Sequence, residues 1–346
     1  MSDIRGIDAG PVTDWFEANI PGAQGPLSFE LIAGGHSNLT YGVTDAVGNR
    51  FVLRRPPLGH VLATAHDMGR EHRIIAALGP TDVPVAPALG LCTDERVNGA
   101  PFYVMGFVEG HVLRDQKEAE SALDEAGRIR AGESIVDVLA SIHDVDVDAV
   151  GLADLGKHDG YIARQLRRWY GQFQASNALT KRPVPLVHEI HEQLAARIPK
   201  QQGVAIVHGD YRLDNCMLGD DGSIVAVLDW EICTLGDPLA DVGLLQVYWT
   251  DADDPEATLL GTPPTLATGF PNRAQLTKRY AAMSDRDLSQ LDFYVAFGYW
   301  KLACIIEGVY SRYAEGAMGE ASGFEAFERQ VTRLAERAAA AAGRLD

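Results

Sequence analysis

Val207-His208-Gly209-Asp210-Tyr211-Arg212-Leu213-Asp214-Asn215 is followed further along the chain by Ala226-Val227-Leu228-Asp229-Trp230. Apolar, β-leaning residues run into each segment, and the chemistry-bearing side chains stand where those runs stop. Asp210 and Asn215 are five apart in a loop just after one strand, and Asp229 closes another strand fourteen residues beyond Asn215. Phosphoryl transfer needs these residue types together. One carboxylate orients an acceptor hydroxyl and takes its proton, while an amide oxygen and a second carboxylate hold Mg²⁺ against the phosphates. The competing reading is a surface loop rich in turn-forming Asp and Asn. Two matching halves, each in a strand context, favour the chemistry.

A chain of 346 residues is long enough for two lobes around sizeable cores. A net charge of −18 argues against nonspecific binding to nucleic acid or to an anionic membrane, since both need a basic face. Cys92, Cys216, Cys233 and Cys304 are far apart and form no CxxC pair, so reduced core thiols are expected rather than a zinc cage or disulfide framework. The first twenty residues have neither a basic nor an apolar leader region. The most apolar long stretch, 293–310, carries Lys301 and Glu307, which a membrane span tolerates poorly and a buried helix with two polar edges accommodates. A soluble, cytoplasmic chain is expected.

The first hundred residues predict strands over 27–32, 39–44 and 50–54, separated by glycine turns and ended by Pro56-Pro57. Met68, His72, Ile75 and Leu78 recur at helical spacing over 66–78. A hairpin is expected from 89–92 and 102–107 across Asn98-Gly99. After Glu109-Gly110 the pattern turns helical, over 128–143, 159–174 and 185–198. A second β island covers 204–207, 216–218 and 224–228, and the chain ends in an Ala/Arg/Glu-rich helical tail over 324–345. The expected class is therefore α+β. Residues 1–106 make a small β-rich lobe and 107–346 a larger helical lobe, joined by a hinge near 105–110.

Three other patterns depart from the motifs they suggest. Gly151 to His158 is one residue short of a P-loop, and His158 stands where a hydroxyl must face Mg²⁺. Asp144, Asp146 and Asp148 alternate as in a calcium loop, but Ala149 and Leu155 replace its Gly and Glu. His188 and His191 sit at i and i+3, which is not zincin spacing.

The HGDxxxxN loop and the later strand-end Asp resemble the aminoglycoside phosphotransferase and choline kinase-like family. The runs GGHSNLTYGV, FVLRRPP, AHDMGREHRIIAAL and LDWEICTLGDPLADVG resemble its branch fused to acyl-CoA dehydrogenases. The resemblance spans about 27–320 and implies a two-lobed protein-kinase-like fold binding ATP and Mg²⁺. It implies Asp210 as base, Asn215 and Asp229 as metal ligands, and His208 as a brace for the loop or a merely structural histidine. Arg212 would face the γ-phosphate or solvent, and Asp237 and Asp241 would brace the loop. Gly34, Gly35, Ser37 and Asn38 would cover the nucleotide. Arg54 would stand where relatives carry Lys, with Glu71 as its partner, although Arg55 is a rival for the inward position. Met105 and Phe107 would lie at the adenine hinge.

The activity expected is phosphorylation of a hydroxyl on a small molecule. The alternatives are a catalytically silent module that binds a nucleotide or metabolite, and an aminoglycoside- or choline-type kinase. A protein kinase is disfavoured because no APE segment follows the metal Asp. Arg164, Arg167 and Arg168 share a helix face where an anionic hydroxylated acyl compound, such as a hydroxyacyl-CoA, would suit them; a solvated face is the competing reading.

Overall fold

The computed structural model describes residues 4–33, 38–58, 66–254, 262–314 and 325–345. Within these the chain divides into two compact units, Met1–Gly110 with Val225–Ile232, and His111–Ile224 with Cys233–Asp346.

The first unit opens with α1 (Ala9–Asn19), followed by β1 (Ser28–Ala33), β2 (Leu39–Thr44), β3 (Arg50–Arg55), α2 (Met68–Leu78), β4 (Ala88–Cys92), α3 (Glu95–Asn98) and β5 (Phe102–Gly106). The strands form one antiparallel sheet in the order β1-β2-β3-β5-β4. Alternation along β2 buries Leu39, Tyr41 and Val43 on one face, where they meet Phe16, Leu53, Phe102 and Val104 in a single core. The helix α1 was not foreseen in the sequence, although Val12 and Phe16, four apart, are both fully buried. The expected hairpin across Asn98-Gly99 is more elaborate than a tight turn. β4 and β5 do pair, Cys92 opposite Phe102, but the connection carries the one-turn helix α3. Asp94 caps its start through the Arg96 N–H, and Gly99 ends it at φ +71°, a left-handed conformation that glycine adopts without strain.

The second unit carries α4 (Gln116–Ala122), α5 (Glu125–Asp144), α6 (Tyr161–Thr180), α7 (Pro185–Ala196), β6 (Ala205–Val207), β7 (Cys216–Leu218) and the start of β8 (Ile224–Val227). It continues with β9 (Thr234–Gly236), antiparallel to β6, and with α8 (Leu239–Tyr248), α9 (Arg273–Met283), α10 (Leu291–Ala314) and α11 (Glu325–Ala342). α10 packs against α6, α7, α8 and α11. Gly243 lets α8 approach it, for a Cβ there would stand 2.5 Å from Tyr294. Among the described residues no helix is long and apolar enough to cross a membrane.

Lys301 and Glu307 correct the reading of α10 as a helix with polar edges, because both are buried. Glu307 accepts from Arg182 Nε at 2.9 Å, from Arg182 Nη2 at 2.5 Å and from the Thr180 hydroxyl at 2.6 Å. Such charges survive inside a core only when paired and hydrogen-bonded. The four cysteines are free and buried.

Candidate active site

In the second unit β6 delivers the chain into the loop His208–Arg212, and one 3₁₀ turn, Leu213–Asn215, closes it. Gly209 takes φ +84°, which a residue with a Cβ adopts only at a cost. The loop backbone is held from beneath by Asp241, the first-turn carboxylate of α8. The N–H of His208 donates to Asp241 Oδ2 at 2.6 Å and that of Gly209 to Oδ1 at 2.9 Å. Burial would raise the Asp241 carboxyl, but His143, with Nε2 3.6 Å away, and the loop amides hold it below the ordinary range. His208 is itself fully buried, and its Nδ1 accepts the Asp210 N–H at 3.3 Å. Asp237 takes the Tyr294 hydroxyl at 2.7 Å and the Leu239 N–H at 3.2 Å, which ties the start of α8 to α10.

The Asp210 carboxylate is held at both oxygens. Tyr248 donates its hydroxyl to Oδ1 at 2.9 Å, and the Asn215 amide donates to Oδ2 at 2.9 Å and to the Asp210 carbonyl at 2.8 Å. Those bonds use the Asn215 nitrogen and leave its oxygen, a hard donor of the kind Mg²⁺ takes. Arg212 lies partly exposed over the Tyr248 ring, 4.8 Å from its centroid, and pairs with Asp214 at 2.5 Å and with Asp210 Oδ2 at 3.8 Å. Burial drives the Tyr248 phenol well above its ordinary range, helped by Asp210, so it remains a neutral donor. A cavity of about 100 Å³ opens beside this group, lined by Arg114, Arg212, Tyr248, Trp249 and Thr265 among others.

The first unit holds a second cluster. Strand alternation separates the two arginines of β3. Arg55 turns into the core beside α1, donating to the carbonyls of Gly6 and Asn98. Arg54 turns the other way, with Nε 3.0 Å from Glu71 Oε2 on α2 and Nη2 2.5 Å from Asp229 Oδ1. Burial disfavours the Arg54 cation, but Glu71, Tyr103 and Asp229 overcome it and hold the guanidinium above its ordinary range. Glu71 also accepts the Tyr103 hydroxyl at 3.0 Å and the Asn38 amide at 2.8 Å, while His66 Nδ1 meets Asn38 Oδ1 at 2.8 Å. Asp229 sits at φ +59°, a left-handed conformation that Asp and Asn tolerate better than other side chains.

Of the remaining candidates, Gly34, Gly35 and Ser37 lie outside the described residues. Met105 is within β5, opposite Val52 and Ala88, and Phe107 lies beneath Arg50, whose guanidinium is 3.5 Å from the ring centroid. On α6 the three arginines do not behave alike. Arg164 donates to the carbonyls of Lys157 and Asp159, bracing the loop that leads into its own helix, whereas Arg167 and Arg168 are exposed. Tyr248 was missed because nothing local marks a tyrosine 38 residues from its partner. Lys301 did carry a signal, a lone cation in an apolar run.

The sequence profile of the phosphotransferase enzyme family, APH, matches residues 28–261. Mouse acyl-CoA dehydrogenase family member 10 is 33% identical over 303 residues, covering 87% of this chain but only 28% of the mouse protein, so the chain spans under a third of that relative. A candidate aminoglycoside phosphotransferase from Ralstonia eutropha is 33% identical, with 98% of this chain and 99% of that one superposed at a TM-score of 0.83. Choline kinase from Cryptosporidium parvum shares the fold at a TM-score of 0.64 and 11% identity, over 94% of each chain. An antiparallel five-stranded sheet, a helical unit carrying the Asp210 loop and a profile match over most of the sequence agree: the chain belongs to the APH phosphotransferase enzyme family, small-molecule kinases of kinase-like α+β fold.

Proposed function

We propose that this chain transfers a phosphoryl group from ATP to the hydroxyl of a small molecule. The observation that carries the reading is the Asp210 carboxylate, fixed at both oxygens on a loop whose backbone is itself clamped by Asp241. A base so held is already oriented, and orientation is most of what this reaction asks of a protein. Asp210 receives the acceptor proton. When an acceptor hydroxyl arrives it competes with the Asn215 amide for Oδ2, while Tyr248 keeps the carboxylate from rotating. Asn215 and Asp229 supply hard oxygens suited to Mg²⁺, which when bound would offset charge on the phosphates. Arg54, kept charged and aimed by Glu71, binds phosphate oxygens, and Arg212 adds positive charge near the base.

For the acceptor, the relatives named as acyl-CoA dehydrogenase family members and the cavity lined by Arg212 and Tyr248 favour an anionic hydroxylated acyl compound such as a hydroxyacyl-CoA. Its wall offers Trp249, Leu245 and Pro263 to an acyl body and Arg114 and Arg212 to an anion. ADP release across hydroxyacyl thioesters, choline and aminoglycosides, with the product identified by mass, tests both levels. Phosphorylated hydroxyacyl product is expected. Transfer only to choline or an aminoglycoside overturns the acceptor, and no transfer to any hydroxyl overturns the kinase.

A further inference from the structure

Lys301 lies in the middle of α10, in a run of aromatic and aliphatic residues where packing alone would call for another apolar side chain. It is 7% exposed, and taking an ammonium out of water costs several kcal/mol unless it finds partners. Its acceptor is a backbone carbonyl rather than a carboxylate: Nζ donates to the oxygen of Gly209 at 2.8 Å. The Trp169 ring of α6 lies alongside, 5.5 Å from Nζ. Around it, the Asp210 and Asp241 carboxylates favour the charge, Arg168 opposes it, and burial pulls the ammonium below its ordinary range.

The carbonyl that Lys301 holds belongs to the same residue whose N–H Asp241 holds at 2.9 Å. Gly209 is therefore gripped from both ends, by an anion at its N–H and by a cation at its carbonyl oxygen. Each grip is a charge-assisted hydrogen bond, about twice as strong as a neutral one. The two buried charges compensate one another through the glycine lying between them. The next residue in the chain is Asp210, so any looseness in Gly209 is passed directly to its carboxylate.

We propose that Lys301 is a positioning residue for phosphoryl transfer, clamping the Gly209 carbonyl against the pull of Asp241 so that Asp210 meets the acceptor in one orientation. This rests on the kinase reading above, and it adds a residue on a helix distant in sequence from the loop. Buried and bonded to the Gly209 carbonyl, Lys301 acts through the loop and not on acceptor or nucleotide directly. Its effect is on kcat, with the ATP KM left as it was.

The test replaces Lys301 by Met in the full chain, with Lys301→Gln as a second variant that keeps a neutral donor. Amide hydrogen exchange is followed in peptides covering 207–215 and α11, together with MgATP affinity and turnover of whichever acceptor the parent phosphorylates. In Lys301→Met the loop amides should exchange about tenfold faster, and kcat should fall roughly 10–100-fold, the worth of a hydrogen bond to a charged group. Exchange in α11 and MgATP affinity should stay within about twofold. Lys301→Gln should fall between the parent and Lys301→Met. Parent-like loop exchange and kcat in Lys301→Met overturn the proposal, as does faster exchange spread evenly over the molecule or failure of both variants to fold. If the parent phosphorylates no acceptor, the kinase reading fails, and the loop exchange still decides whether Lys301 clamps Gly209.

Discussion

Replacing Glu71 by Gln probes how the Arg54 cluster is held. The Glu71 side chain is 2% exposed, pairs with the Arg54 guanidinium at 3.0 Å and accepts from Tyr103 and Asn38. Two effects oppose each other. Burial pushes the Glu71 carboxyl up to about 7 against the pull of Arg54 and Tyr103, so losing the charge relieves desolvation. Against that, a guanidinium only 13% exposed loses a counter-charge 3.0 Å away, and an amide cannot accept at both of its heavy atoms. Removing one partner of a buried ion pair costs about 3–5 kcal/mol, and since Asp229 still faces Arg54 we expect a loss near the lower end. Arg54 then leans wholly on Asp229, the proposed Mg²⁺ ligand, and MgATP binding should weaken by about tenfold, a change of about 1.4 kcal/mol. The pH dependence has a definite sign. A carboxyl raised in the folded state binds a proton there that the unfolded chain has released, so its contribution is full below its ordinary value of 4.5 and is lost as pH rises through about 7. Gln does not titrate, so the variant should lose that part of the parent's fall in stability across the window. Urea unfolding at several pH values and calorimetric titration with MgATP measure both effects. A Gln variant with parent-like stability, an unchanged pH slope and unaltered MgATP affinity would refute the reasoning.

Asp210→Asn should keep MgATP affinity while lowering turnover by roughly two to four orders of magnitude, read from steady-state kinetics beside a binding titration. Asp229→Asn keeps the left-handed backbone and should lose MgATP binding; Asp229→Ala should be less stable than Asp229→Gly by about 1 kcal/mol, since only glycine takes that conformation freely, as denaturant melts would show. Glu307→Gln, which leaves Arg182 buried opposite a neutral group, should cost about 3–5 kcal/mol, whereas Arg182→Met with Glu307→Leu should recover most of it. Arg164→Glu should disturb the loop before α6 and lower thermal stability, while Arg168→Glu, at an exposed position on the same helix, should leave the melting temperature alone.

What the sequence determined was local and periodic. Alternation marked β2, an apolar run between turns marked β3, helical spacing marked α2, and a loop whose polar residues lie a few positions apart carried Asp210 and Asn215 in plain view. The choice between Arg54 and Arg55 lay beyond it, because alternation puts them on opposite faces without saying which face Glu71 occupies. Only the packing of α2 against the sheet decided that. Tyr248 and Lys301 reach the Asp210 loop from positions 38 and 92 residues away, and no spacing rule links such distances. The sequence showed Lys301 as a charge out of place in an apolar helix, but a buried cation is defined by its partner, and the partner here is a backbone carbonyl, which every residue possesses. Local pattern therefore carried the residues proposed for the chemistry, and tertiary contact decided which partners hold them.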